Sequence, residues 1–469
     1  MIHEPGYYIE RISESALEAS FDDVSKTTLR NTKNRILDLL GCAMSGAGGP
    51  GNAAMVDMVK TWGGKEESTI FIYGGKVPAH NAAFANSAMT RTYDFEAIGA
   101  FVEGVDLSSH ISVTTVLTAL AMGEACNVDG KELLIALLVG DDIAGRLLAA
   151  SGFAGGKNFA LGWDGNGTVN AFGAAAIAGR MLGLTKRQMQ HNLGIVLSQM
   201  GGSFQNVWDG TICFKLPNAL SAQNGIFSAE LAKAGWDGPD DPLFSKFGYF
   251  NLFTGGWSDD DIEILTKDLG KVFYTEATFK PYSCCRANHA AIDCALSLIS
   301  QGDIDVDNID DVVLSVPPRV RDMFVGQQFT LRQTPQIDAA FSLQFNVANV
   351  LLRKGIKIED FVEAAIREPE IMDLATKVRI ATLEPDEMAN KTAALKVVLK
   401  DGREFSSEVK FVKGGPFENS LTDEDIKDKF RHNLGMNKVV SKETGEKIID
   451  MIDNLEEVDN ISELTKLMV

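Results

Sequence analysis

Apolar residues recur at three- and four-residue intervals through most of the first 272 positions, the spacing of helix faces. Ile36, Leu39, Leu40 and Met44 form one such face, with Asp22 and Asp23 upstream as candidate caps. The segment runs out in the Gly-rich turn Gly46–Gly51. The same pattern predicts helices over 52–62, 79–96, 111–126, 131–150, 168–183, 186–200 and 218–234, and a strand only at 69–73. Ala and Gly dominate 171–185, which predicts a central helix packed closely on all sides.

The pattern changes near residue 272. Residues 274–280, 312–316, 378–382, 394–399 and 404–411 read as strands, and 288–300 and 339–352 as helices. Lys400-Asp-Gly-Arg403 joins the last two strands as a hairpin. From residue 413 charged helical repeats return at 422–432 and 441–456 and need an apolar partner. The prediction is a mainly α chain, with 1–272 and 413–469 forming one helical domain and 273–412 an α+β insert.

Composition narrows the function. The chain has 469 residues, is 45% hydrophobic and 23% charged, and carries a net charge of −20. Such a charge disfavours nucleic acid and anionic membranes as partners. Apolar runs at 111–123 and 132–140 are too short to span a bilayer, and no basic segment followed by an apolar one opens the chain. Six Cys without a CxxC pair argue against a disulfide framework or structural zinc and make a reducing cytoplasm the simplest setting. The six His, at His3, His80, His110, His191, His289 and His432, form no HExxH or HxH pattern, so no metal is expected. No Gly-rich nucleotide fingerprint follows a strand; 162–168 only superficially resembles a phosphate loop.

Two clusters stand out against the acidic background. Residues 279–289 place Lys280, Cys284, Cys285, Arg286 and His289 together, which suits binding an anion and moving a proton on it. The plainer alternative is a helix start with surface cations and two small buried thiols. The second cluster is Tyr93-Asp94-Phe95-Glu96 followed by Asp106 and His110. It predicts a helix ending in two carboxylates and an imidazole at the start of the next helix, capped by Ser108 or Ser109. A carboxylate beside an imidazole is an acid/base pair; an Asp cap beside a satisfied His is the alternative.

These clusters, with Asn86–Glu96, His110-Ile-Ser112, Gly140–Arg146, Gly167-Thr168, Ala171–Ala176, Met181–Thr185, Ser221–Gly225 and Lys280–Arg286 in that order, resemble the MmgE/PrpD family over nearly the whole chain. The resemblance implies a large helical domain with a smaller α+β lid, a site in the cleft between them, a homodimer and no cofactor. It implies a lyase that removes a proton beside a carboxylate of a small polycarboxylate, foremost a 2-methylcitrate dehydratase-like hydro-lyase. An iminodisuccinate-type epimerase and a decarboxylase are family alternatives, and a non-catalytic carboxylate-binding relative is one of another class. Matching by position assigns Asp94, His110 and Lys280 to catalysis and Arg286, His289, Lys215 and Asp164 to substrate binding. The chain departs from the family's pattern at Ala97 and Ile98, at Asp164 in place of His, and at Phe214 and Pro217 in place of Lys and His. Asp164 also fits a helix N-cap.

Overall fold

The computed structural model describes residues 4–152, 161–302 and 304–469; His3 lies outside them. The chain is mainly α-helical, with small sheets. The helices Asn52–Trp62 and Ile111–Cys126 have the predicted bounds. Ile111–Cys126 is buried along nearly all its length, as an all-round apolar pattern requires. The small-residue segment forms the helix Val169–Met181, which crosses Gly130–Ala150 and Leu216–Lys233 at very short range. A methyl group added at Gly173 would meet the carbonyl oxygen of Gly140 at 2.5 Å, and one at Gly225 would meet Ala174 Cβ at 2.4 Å.

Four local expectations are corrected. The helix predicted over 79–96 ends at Thr90; a turn follows, in which Asp94 takes the left-handed region at φ 50° and keeps the helix from resuming. Asp22 and Asp23 sit in a short turn, and Ser25 caps the helix Lys26–Gly46 by accepting from Thr28 N. The strand expected at 69–73 is the two-residue Ser68–Thr69 paired with Lys76–Val77, because Gly74 and Gly75, both at positive φ, reverse the chain. Residues 274–280 form no strand; their one β-type pairing among the described residues is the isolated bridge between Ile98 and Thr278, while Phe279 N donates to Gly414 O at 3.0 Å and Tyr274 N to Asp142 Oδ1 at 3.1 Å.

The later half carries a mixed four-stranded sheet in the order Val378–Thr382, Ile309–Val316, Ala393–Leu399, Glu404–Val409. The first pair is parallel and the others antiparallel. Gly402, at φ 87°, closes the predicted hairpin. Val312, Leu314 and Val316 alternate inward onto Phe345, Val347 and Leu351, and the helix His289–Gln301 joins the same core.

The helices Asp423–Gly435 and Lys442–Asp453 pack Ile426, Phe430 and Ile448 against Ile36, Leu40 and Leu117. A buried ion pair reinforces that seam. Lys429 Nζ lies 2.7 Å from Asp38 Oδ1 and donates to Phe95 O at 2.6 Å, 3.9 Å above the Phe95 ring. Asp38 Oδ2 accepts from Ala97 N at 2.8 Å. The helix Asp423–Gly435 thus grips the turn that holds Asp94 and Glu96. Removing one partner of a buried pair leaves an uncompensated charge, so Lys429→Ala is expected to cost about 3–5 kcal/mol. Denaturant titration followed by far-ultraviolet circular dichroism reads it; an unchanged midpoint contradicts the role. Among the described residues, no helix is long and apolar enough to cross a membrane.

Candidate active site

The site is built where three segments meet. The first is the turn after the helix Ala79–Thr90, which presents Arg91, Asp94 and Glu96. The chain then forms a short hairpin, Gly99–Val102 with Val105–Ser109, and returns to the start of the helix Ile111–Cys126. His110 itself is the N-cap residue there, without a side-chain cap. The predicted Ser cap is therefore wrong: Ser109 Oγ donates to Asn166 Oδ1 instead, at 3.2 Å. Asn166 Oδ1 also accepts His110 N at 3.1 Å, and Asn218 Nδ2 donates to His110 O at 2.8 Å. Both backbone polar groups of His110 are thus tied down. The third segment is the loop carrying Lys280, whose ammonium donates to Asp94 O at 2.6 Å and lies 3.0 Å from Asp94 Oδ2.

These groups form one buried charge network. Arg91 pairs with Asp94 through Nη1, which also stands 3.0 Å from Glu96 Oε1. His110 Nδ1 is 2.6 Å from Glu96 Oε1, although off the line of a hydrogen bond. His110 Nε2 is 3.6 Å from Asp94 Oδ1, beyond hydrogen-bond range. Asp94, Glu96, Arg91 and Lys280 are all buried, while the His110 side chain keeps 16% exposure. Burial alone would raise the two carboxyls. The charges of Arg91, Lys280 and His110 outweigh it and hold both below their ordinary values. Burial would likewise lower Arg91, but Asp94 and Glu96 hold it above its ordinary value. His110 is pulled below the usual histidine value, first by burial and then by Arg91, against the opposing pull of Glu96 and Asp94.

A cavity of about 470 Å³ opens on this network. Asp94, His110, Lys280, Arg286 and Asp164 all line it, as do Arg91, Asn166 and Arg319. Arg286 is braced by donating to Lys413 O at 2.6 Å and to His289 Nδ1 at 3.2 Å. Because guanidinium only donates, Nδ1 of His289 must accept, and its Nε2–H faces Cys284 O at 3.3 Å. Burial holds His289 well below its ordinary value, in keeping with a neutral ring.

Two sequence assignments are corrected by position. His289 is fully buried behind Arg286 and does not line the cavity. Lys215 also points elsewhere, donating to Pro50 O and Asn52 Oδ1, each at 2.8 Å, with burial lowering it to about 8. Asp164 does line the cavity and is also an N-cap: its Oδ1 accepts Asn166 N at 2.9 Å and Asn166 Nδ2 at 2.8 Å. Burial raises it. Cys285 lines the cavity as a thiol that burial pushes up to about 12, so it is no ready nucleophile.

Sequence reasoning marked Glu96 as the second carboxylate beside Asp94 without giving it a role, and did not select Arg91, Asn166 or Arg319. A signal existed for Arg91. An Arg three residues before an Asp and five before a Glu must find an acidic partner or stay at the surface. Arg319 and Asn166 carried no such signal. Asp94, Glu96 and His110 offer donor atoms within 4.8 Å of one another. Arg91 and Lys280 already neutralise the two carboxylates, and a dication would face both buried cations, so the set does not suit a metal.

Residues 10–260 match the MmgE/PrpD N-terminal domain and residues 282–457 the MmgE/PrpD C-terminal domain. The Mus musculus protein named cis-aconitate decarboxylase is 26% identical over 455 residues, covering 94% of this chain and 89% of its own. Its Homo sapiens counterpart is 27% identical, covering 94% and 90%. The Aspergillus terreus protein of the same name is 23% identical, covering 95% and 93%.

Proposed function

The chain belongs to the MmgE/PrpD family, and on that premise we propose that it is a lyase that removes a proton beside a carboxylate of a small di- or tricarboxylate. The observation that carries the reading is the placement of His110. Glu96 stands against Nδ1 while Nε2 has no hydrogen-bond partner and the side chain lines the cavity. The negative charge of a carboxylate 2.6 Å from Nδ1 favours the ring proton on that nitrogen and leaves the Nε2 lone pair as a base. A histidine lowered below its ordinary value is neutral, and so ready to accept a proton, at pH 7.

In the dehydration that this arrangement favours, Nε2 takes the carbon-bound proton and the electron pair forms the carbon–carbon double bond. The carbon–oxygen bond breaks, and the hydroxyl leaves as water with a proton from Lys280. Arg286 and Arg319 hold the substrate carboxylates, and their charge stabilises the developing carbanion. Arg91 and Asp94 orient the pair. Asp164 makes room for a substrate with two carboxylates, or one with an amine in the third place. The α+β segment 273–412 acts as a lid over the helical domain formed by 1–272 and 413–469. A homodimer, a cytoplasmic setting and the absence of a cofactor belong to the same reading.

A second reading, decarboxylation, is favoured by the names of the similar proteins. There the carbon–carbon bond to a carboxylate breaks, carbon dioxide leaves, and the carbanion takes a proton from His110 in its protonated form. Proton NMR in D₂O separates the two. The enzyme is incubated with 2-methylcitrate, citrate, cis-aconitate, malate-type acids and iminodisuccinate. Loss of water with a new vinyl signal supports dehydration; loss of carbon dioxide with one deuterium gained supports decarboxylation. Folded protein that changes none of them and exchanges no proton sinks the lyase reading for this substrate class.

A further inference from the structure

The turn that carries Arg91, Asp94 and Glu96 is held by its carbonyls, and the donors come from distant segments. Lys280 holds Asp94 O and Lys429 holds Phe95 O. A third donor is Gln336, whose Nε2 donates to Thr92 O at 2.8 Å. Thr92 and Gln336 are both buried. Gln336 does not line the cavity, so whatever it does for a ligand it does through Thr92.

Thr92 is gripped from the other side as well. Its Oγ1 accepts Asn52 Nδ2 at 2.8 Å, and Asn52 Oδ1 accepts Lys215 Nζ at 2.8 Å. A methyl group added at Gly49 would meet Thr92 Cγ2 at 2.2 Å, so the backbone also closes on this side chain. Lys215 therefore orients Asn52 rather than a substrate.

The short helix that presents Gln336, Pro335–Ala340, is itself fixed at both ends. Asp338 pairs with Arg332 at 2.7 Å, and Arg332 Nη1 donates to Trp208 O at 2.7 Å. Ala340 O accepts Cys285 N at 3.0 Å and Asn288 Nδ2 at 2.9 Å, which ties the helix to the loop of Lys280 and Arg286. A buried carbonyl that loses its donor is left unpaired and drives the backbone to rearrange. In an acid/base site a displacement of about 1 Å can cost about 10²-fold in rate.

We propose that Gln336 is a positioning residue for proton transfer at His110: through Thr92 it sets the turn from which Arg91, Asp94 and Glu96 face the imidazole. This rests on the lyase reading above. The α+β segment thus helps to assemble the charge network as well as to line the cavity.

Gln336→Met removes the donor at nearly constant length and volume. Gln344→Met is the matched control. Gln344 lies in the same segment, is equally buried at 6% exposure, and donates to Val378 O at 2.8 Å, and neither of these two residues lines the cavity. With the carboxylate that the wild type converts, Gln336→Met is expected to lower kcat by up to about 10²-fold. KM should hold, because Arg286 and Arg319 bind the carboxylates. Hydrogen exchange read by mass spectrometry should quicken over residues 91–98. Gln344→Met should change none of these. Gln336→Asn draws the amide back by one methylene and gives the same comparison if Gln336→Met does not fold. Wild-type kcat and exchange in the Gln336 variant overturn the proposal, and so do equal effects in Gln344→Met. If the wild type converts no carboxylate, the lyase reading falls and exchange alone decides. Faster exchange over 91–98 confined to the Gln336 variant then upholds its grip on the turn, and equal exchange in all variants overturns it.

Discussion

His110→Ala is expected to lower kcat by about 10²–10⁴-fold, the usual contribution of a positioned acid or base, while the protein stays folded. The side chain is 16% exposed and the residue caps its helix through backbone groups held by Asn166 and Asn218, which the substitution leaves in place. The pH profile supplies the sharper test. Burial, and then Arg91, lower the imidazole below its ordinary value of about 6.5. A base is active when unprotonated, so the rate should stay flat as pH falls past 6.5 and drop only below that, through the lowered value. If His110 instead supplies a proton to a carbanion after carbon dioxide leaves, the limb reverses and the rate climbs as pH falls through the same region. His110→Ala should abolish whichever limb the wild type shows. An unchanged limb in that variant would remove His110 from the chemistry.

Arg91→Met is expected to destabilise the fold by about 3–5 kcal/mol, because it strips the guanidinium from two buried carboxylates at once. Asp94 keeps its ion pair with Lys280, whereas Glu96 keeps His110 and only the weaker pull of Lys280. The pH dependence follows from the same charges. In the wild type both carboxyls are held below their unfolded values. Their contribution is fully present above the unfolded carboxyl range, roughly pH 4–5, and is lost as pH falls through the lower folded values. Without Arg91 burial dominates for Glu96 and raises its carboxyl, so the deficit of the variant should shrink as pH is lowered. Thermal unfolding of wild type and variant across pH 4–8 measures this. The double variant Arg91→Met/Glu96→Gln should recover part of the loss, since its glutamine needs no counter-charge. A double variant as unstable as the single one would contradict the buried-charge explanation.

Helices announce themselves in this chain because an apolar face repeats locally. The segments 52–62 and 111–126 were legible to the residue for that reason. The small residues over 171–185 likewise foretell close helix crossings, although not that Gly173 meets Gly140 or that Ala174 meets Gly225. What failed was the chain between Thr90 and His110. Its apolar residues continue the helical spacing, yet Asp94 adopts a left-handed conformation, and Lys280, 186 residues further on, holds its carbonyl. A hairpin follows whose burial comes from neighbours on other segments. No local pattern encodes a partner so distant.

The same division applies to the site. The sequence alone determined the mainly helical class, the mixed-sheet segment after residue 272, the family, and Asp94, His110, Lys280, Arg286 and Asp164, all of which line one cavity. These follow from residue type and order, which are local properties. Only the tertiary structure decided that Lys215 and His289 face away from that cavity, that Arg91 joins Glu96 and Asp94 in the charge network, and that Phe204, Phe324 and Phe341 line the same cavity. A cation's direction is set by where its nearest acceptors fold. A histidine's protonation is set by burial and neighbouring charge. Both depend on contacts between residues far apart in the chain, which spacing along it does not record.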